Sequence, residues 1–342
     1  MAESTDRGGA RPRAHAPRAL TDLVEGVRRL ALVGLAKNTG KTETLAAILA
    51  EYAAAGRRIG VTSIGRDGEA RDVLDARIAK PRIALQAGSL VASTGALLRT
   101  SGVAHERLAQ TGVRTPLGEV LIARLSERGT VEVAGPSAAE DVRSVCASMA
   151  GHGAEQVLID GAIDRRAASS PAVADGLVMA TGAVLGADIA QVIAATSDAV
   201  DLVRLPCSRA DGVSLDRRLV LSGEPAEIAG LLREHPHTST FVVAGALGER
   251  FLEGLLAARR ERAGRELRIV AGDPTKVFLA RHGPRWYRRQ GIVLEVSRPI
   301  DLRALTVNPV APQSHRFESS RLRELIEAAI PDVPVLDVLH PT

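Results

Sequence analysis

The sequence predicts an α/β fold: a doubly wound, mostly parallel sheet with helices on both faces. Three observations predict it. From about Leu23 onward, short aliphatic runs alternate with longer Ala-rich amphipathic segments, the order expected of βα units. Hydrophobic residues make up 45% of the 342 and aromatics only 2%. The core must therefore be built from Ala, Val, Leu and Ile, which suits buried parallel strands under small-residue helices. Finally, a glycine-containing turn joins the first aliphatic run to the first amphipathic segment, and open α/β sheets collect ligands at such turns.

The elements follow in order. Residues 1–24, beginning "MAESTDRGGARPRAHAPRAL", lack an apolar run and read as a disordered tail rather than a signal peptide. Residues 25–342 read as the α/β domain. "RRLALVGLA" reads as a strand, "KTETLAAILAEYAAAG" as a helix closed by Gly56, and "RRIGVTSIG" as the second strand. "ALQAGSLVASTGALL" reads as a strand running into a helix, "LGEVLIARLSERG" as a helix and "TVEVAGP" as a strand. "SAAEDVRSVCASMAGHG" reads as a helix with Ser137 at its N-cap. "EQVLIDGA" and "ADGLVMATGA" are strands, and "ADIAQVIAATSDAVDLV" is a helix. "TSTFVVAGA", "RELRIVAGD", "DLRALTVNP" and "VPVLDVL" read as strands, while "GERFLEGLLAARRERAG" and "SSRLRELIEAAIP" read as helices. A shift in composition between Leu205 and His235 marks an insertion or a second lobe.

Charge and cysteine content narrow the function. Net charge is +4, with Arg7, Arg11, Arg13 and Arg18 contributing from the tail. No basic run is interleaved with aromatic rings, so a nucleic-acid platform is not expected. Cys146 and Cys207 form neither a disulfide framework nor a Cys-x-x-Cys metal motif. The apolar stretch from Leu177 to Thr196 is interrupted by Asp188 and Gln191, so no membrane span is expected. A cytoplasmic protein is the expectation. "RHGPRWYRRQG" holds Trp286 and Tyr287, read as packed aromatics flanked by surface arginines.

The turn "VGLAKNTGKTE" carries the chemistry. The pattern G-x-x-x-x-G-K-[ST] after a strand and before a helix cradles phosphates on backbone N–H groups and the helix N-terminus. Here Gly40, Lys41 and Thr42 supply its second half. Gly34 precedes Gly40 by five intervening residues rather than four. The expected nucleotide-binding residues are Gly34, Lys37, Asn38, Thr39, Gly40, Lys41, Thr42 and Glu43. Lys41 would reach the β- and γ-phosphates, and the Thr42 hydroxyl would bind Mg²⁺. Only four lysines occur, Lys37, Lys41, Lys80 and Lys276. Arg does nearly all other cationic work, so two lysines in one loop point to a geometric need.

A nucleotide's Mg²⁺ needs a carboxylate at a neighbouring strand end. Asp160, after "QVLI" and before Gly161, meets that description, with a turn-capping Asp as the bland alternative. Asp67 in "IGRDGE" follows the second strand and is the other candidate, to bind Mg²⁺ or orient the attacking water. Arg66 beside it would hold a phosphate or carboxylate, while Gly65 and Gly68 allow close approach and Glu69 adds charge; a charged surface turn is the plain reading. Arg165 and Arg166 follow "DGAID" as γ-phosphate or solvated groups. Thr181 and Gly182 end another strand. Asn308, kept extended by Pro309, has the donor and acceptor to read adenine, or serves a turn. No N-K-x-D guanine motif occurs, which favours ATP.

The Gly34–Thr42 spacing resembles the loop of dethiobiotin synthetase and the cobyric acid synthase class, a branch of the P-loop NTPases. "GVTSIGRDGE", "VEVAGP", "LIDGAIDR" and "LTVNPVAP", in that order, resemble more narrowly the P-loop subunit of lysine 5,6-aminomutase reactivases. That resemblance implies an ATP- and Mg²⁺-dependent ATPase, with Lys41, Asp67 and Arg66 catalytic, Thr42, Asp67 and Asp160 on the metal, and Asn308 on the purine. It implies an adenosylcobalamin-dependent aminomutase as client, from which hydrolysis would drive release of damaged cobalamin. By analogy, such proteins form homodimers. One alternative is a dethiobiotin-synthetase-like ligase or carboxylase acting on a small carboxylate or amine. That chemistry wants a Lys after the second strand, and none lies between Lys41 and Lys80. Another is a nucleotide-sensing regulatory module with little turnover.

Overall fold

The computed structural model describes residues 19–64, 82–161, 166–259, 265–312 and 315–339. The main sheet has nine strands. In spatial order they are Val335–Asp337, Leu302–Asn308, Gly176–Gly182, Arg29–Gly34, Gln156–Gly161, Ile59–Ser63, Leu90–Thr94, Gly118–Leu125 and His105–Thr115. The first seven run parallel, and the last two form an antiparallel hairpin on one edge.

The first strand, Arg29–Gly34, shows why the sheet is doubly wound. Leu30 and Leu32 pack with Leu45, Ile48 and Tyr52 of the helix Lys41–Ala54 on one face. Ala31 and Val33 pack with Val142, Cys146 and Met149 of the helix Ala139–Gly151 on the other. Successive strand side chains point to opposite faces, so a run with no polar alternation needs cover on both. All seven parallel strands thus deliver their C-terminal ends to one edge, where Gly34, Ser63, Thr94, Gly161, Gly182 and Asn308 lie.

Between the helix Ile189–Val203 and the strand Leu302–Asn308 the chain builds a second, four-stranded parallel sheet. Its order is Val213–Leu215, Thr240–Val243, Leu267–Ala271 and Ile292–Val296. This sheet has its own core, centred on Phe241, Phe251, Leu252, Ile269 and Tyr287. Trp286 stacks on His282 with ring centroids 3.8 Å apart, and the buried Tyr287 donates its hydroxyl to Glu249.

Four expectations are corrected. The stretch Gly118–Leu125 is a strand, not a helix. Its Val120 and Ile122 alternate toward the core, and it hydrogen-bonds to neighbours on both sides, so pairing overrides the helical pattern of its Leu and Ala residues. The tail does not reach residue 24. Leu20–Leu23 is a short helix whose Leu20 and Thr21 amides are held by the Glu51 carboxylate. Leu20 and Val24 are buried, and the Val24 carbonyl accepts from Gln156. The helix Ala139–Gly151 has Ala138, not Ser137, at its N-cap. The strands His105–Thr115 and Ile292–Val296 were not anticipated. Among the described residues, no helix is long and apolar enough to cross a membrane.

Candidate phosphate-binding site

The strand Arg29–Gly34 ends in the loop from Leu35 to Gly40, which turns directly into the helix Lys41–Ala54. The Leu35 amide donates to the Ala180 carbonyl of the neighbouring strand at 2.9 Å, so the start of the loop is tied to a second strand. Gly34 is there for space. A Cβ on it would lie 2.5 Å from Thr39 Oγ1 and 3.2 Å from the Ala36 carbonyl. Thr39 is buried and donates to that same carbonyl at 2.9 Å, closing the loop on itself.

Gly40 is there for conformation. Its φ is +90°, and Asn38 at +68° is the only non-glycine with positive φ among the described residues. Two left-handed residues two apart curl the loop and bring the chain into the helix. The first helical amides, from Lys41 onward, have no acceptor within their own helix. They present a partial positive charge to whatever sits in the loop.

Lys41 opens the helix, and its ammonium forms an ion pair with the Asp160 carboxylate. Asp160 sits in register between Leu32 of the first strand and Ser63 of the second. Both partners are partly buried, at 22% and 18% side-chain exposure, so the pair faces the site rather than bulk water. Thr42 and Glu43 are exposed on the same first turn, and Lys37 and Asn38 on the loop. Lys37, Asn38, Thr39, Gly40, Lys41, Thr42, Asp160 and Asn308 therefore converge on one edge.

The donor set fits a hard cation. A threonine hydroxyl and an aspartate are oxygen ligands of the kind Mg²⁺ takes. Among the described residues no group of three or more His, Cys, Asp or Glu could hold a metal alone. Mg²⁺ here would need further oxygen ligands from a bound phosphate, which is its usual way of binding.

The remaining sequence candidates stand as follows. Arg66, Asp67 and Glu69, with Gly65 and Gly68, lie outside the described residues, as does Arg165; Arg166 opens a one-turn 3₁₀ helix. Thr181 is fully buried and bonded to Thr196 at 2.6 Å, so it does not line a nucleotide edge. Asn308 is not placed as a free purine reader. Its Nδ2 donates to the Asn38 carbonyl and its Oδ1 accepts from the Val310 amide, both at 3.0 Å.

Sequence reasoning missed the wall beside Asp160. The Gly135 amide donates to Ser63 Oγ at 2.9 Å. Ser93 Oγ donates to the Glu132 carbonyl and accepts from the Ala134 amide. Residues 132–135 thereby cross the ends of two strands. These partners are 39 to 72 residues apart, and no local pattern marks them. Missed too was the link from Thr44 in the first turn to Thr306, at 2.7 Å. Compared with known proteins, the chain matches no family model, no curated protein and no solved structure.

Proposed function

We propose that this chain binds and hydrolyses ATP with Mg²⁺ at the loop Gly34–Thr42, as an accessory protein acting on another protein. The observation that carries the reading is the Lys41–Asp160 pair at the mouth of a left-handed, helix-capping loop. One cation and one acid side by side at such a loop are the pair that a triphosphate tail and its metal would use. Lys41 would exchange Asp160 for phosphate oxygens, and Asp160 and Thr42 would then hold the Mg²⁺. The metal would neutralise charge on the transferring phosphoryl group.

The client proposed is an adenosylcobalamin-dependent aminomutase, and its support is the sequence resemblance alone. The absence of a Lys between Lys41 and Lys80 favours this over a small-molecule ligase. The experiment measures ATP binding and phosphate release by the wild type and Lys41→Ala, alone, with small carboxylates and amines, and with an inactivated, cobalamin-loaded aminomutase. Restored mutase activity supports the proposal. Turnover that requires a small carboxylate identifies a ligase instead, binding without turnover in any mixture identifies a sensor, and unchanged ATP binding by Lys41→Ala removes the nucleotide reading.

A further inference from the structure

We infer that Asn308 is a positioning residue: it holds the phosphate loop in its binding shape and does not read the base. The inference rests on the nucleotide reading for its ligand, but its geometry stands independently of it. Asn308 ends the strand Leu302–Asn308, two strands away from the one that carries the loop. Its side chain reaches back to the loop from outside.

Three contacts define the brace. Nδ2 donates to the Asn38 carbonyl at 3.0 Å. Oδ1 accepts from the Val310 amide at 3.0 Å, which locks the amide plane from behind. The opposite amide orientation would set oxygen against oxygen and N–H against N–H, so the two bonds together determine which end faces the loop. Asn308 Cβ also lies 3.0 Å from where a Cβ on Gly40 would be. The side chain therefore fills the space that Gly40 leaves open and supports Asn38, the left-handed non-glycine residue.

That backbone conformation is one that side-chain-bearing residues rarely adopt, and it persists where surroundings over-determine it. Asn308 supplies the surroundings. At 9% exposure, with both ends of its amide engaged, it has little left to offer a purine. The strand itself is brought close because Gly182 has no Cβ. One there would run into the Asn308 carbonyl. Thr306, two residues earlier on the same face, ties the helix to this strand through Thr44. The strand thus grips both the loop and the first turn of the helix.

The test compares wild type with Asn308→Asp and Asn308→Ala. Asn308→Asp keeps the acceptor for Val310 but replaces the donor to Asn38 with an acceptor and adds a negative charge, so Asn308→Ala, which adds no charge, is the variant on which polyphosphate binding is read. Two measurements are made on the full chain. The first is binding of ATP, GTP and inorganic tripolyphosphate. The second is hydrogen–deuterium exchange of the loop amides 36–41 without ligand, with thermal unfolding as the control for folding. A positioning role weakens all three ligands by the same factor, about tenfold for the loss of one such bond. It also raises loop exchange several-fold while the rest of the sheet keeps its protection. A loss confined to ATP, with tripolyphosphate unchanged, identifies a base reader and overturns the inference. Loop exchange equal to wild type in Asn308→Asp also overturns it. If the wild type binds no polyphosphate, the nucleotide reading fails, and the exchange measurement still decides for or against the brace.

Discussion

Lys41 and Asp160, 119 residues apart in the chain, form an ion pair at the C-terminal edge of the sheet. Each charge of the pair is therefore balanced by the other. An anion that enters must draw Lys41 from a carboxylate, and a cation that enters must draw Asp160 from an ammonium. A triphosphate carrying Mg²⁺ satisfies both exchanges at once, whereas either ion alone leaves one charge of the pair uncompensated.

This predicts a specific pattern for Asp160→Asn. Without Mg²⁺, affinity for tripolyphosphate rises about tenfold, because Lys41 is released and a like charge is removed. The gain that Mg²⁺ brings disappears, and phosphate release from ATP falls by about 10²-fold. Titration calorimetry with and without Mg²⁺ checks this, and an unchanged Mg²⁺ dependence would remove Asp160 from the metal site.

Gly40 and Gly56 offer a paired comparison. Both are left-handed, at φ +90° and +65°, but an added Cβ meets Asn308 at 3.0 Å in the first case and nothing within 4 Å in the second. Gly56→Ala should cost about 1–2 kcal/mol of stability, the backbone term alone, and leave ligand binding intact. Gly40→Ala should cost more and abolish polyphosphate binding. Urea denaturation midpoints and the binding assay separate the two terms. Equal costs would show that the packing of Asn308 against Gly40 contributes nothing.

Glu249 should give the second lobe an acid-sensitive anchor. Burial pushes its carboxyl upward, but the amides of Ala280, Arg281 and His282 and the Tyr287 hydroxyl outweigh it, so the net shift is downward. A lowered folded-state pKa means stability present above the unfolded value near 4.5 and lost as pH falls through the folded value. Stability, followed by Tyr287 and Trp286 fluorescence, should therefore fall below about pH 4.5 in wild type. Glu249→Gln should be less stable at neutral pH and show a shallower acid dependence. Superimposable pH profiles would refute the anchor.

A cavity of about 90 Å³ is lined by Val33, Leu35, Met179, Ala199, Leu202 and Pro274, among others. Its lining is almost wholly aliphatic, so filling it should stabilise. Ala199→Leu should raise stability by about 0.5–2 kcal/mol without altering ligand binding. A lower urea midpoint would show that the space cannot accept added carbons without strain.

How far the site was legible depends on where its information sits. Gly34, Gly40, Lys41 and Thr42 are neighbours in sequence, and a strand–turn–helix with that composition has few other uses. Asp160 was legible because an acid closing an aliphatic run falls at a strand end by the period of the strand. The identity of its partner was not, since nothing local says which strand lies beside which. Asn308 was singled out for its donor and acceptor, and that capacity shows what a side chain can bond, not what stands in front of it, here the Asn38 carbonyl and the Val310 amide. Gly118–Leu125 was misread because Leu, Ala and Arg satisfy a helical pattern until an exposed strand edge offers them hydrogen bonds.

The sequence by itself determined the class of the fold and the position of the loop, because hydrophobic periodicity, low aromatic content and glycine placement act over a few residues at a time. Only the tertiary structure decided that Lys41 pairs with Asp160, that Asn308 braces Asn38, and that Leu20 and Val24 belong to the core rather than to the tail. Those relationships come from the order in which strands assemble and from which side chains that order brings within 3 Å or so of one another. They join residues 30 to 270 positions apart, a distance over which no local propensity acts.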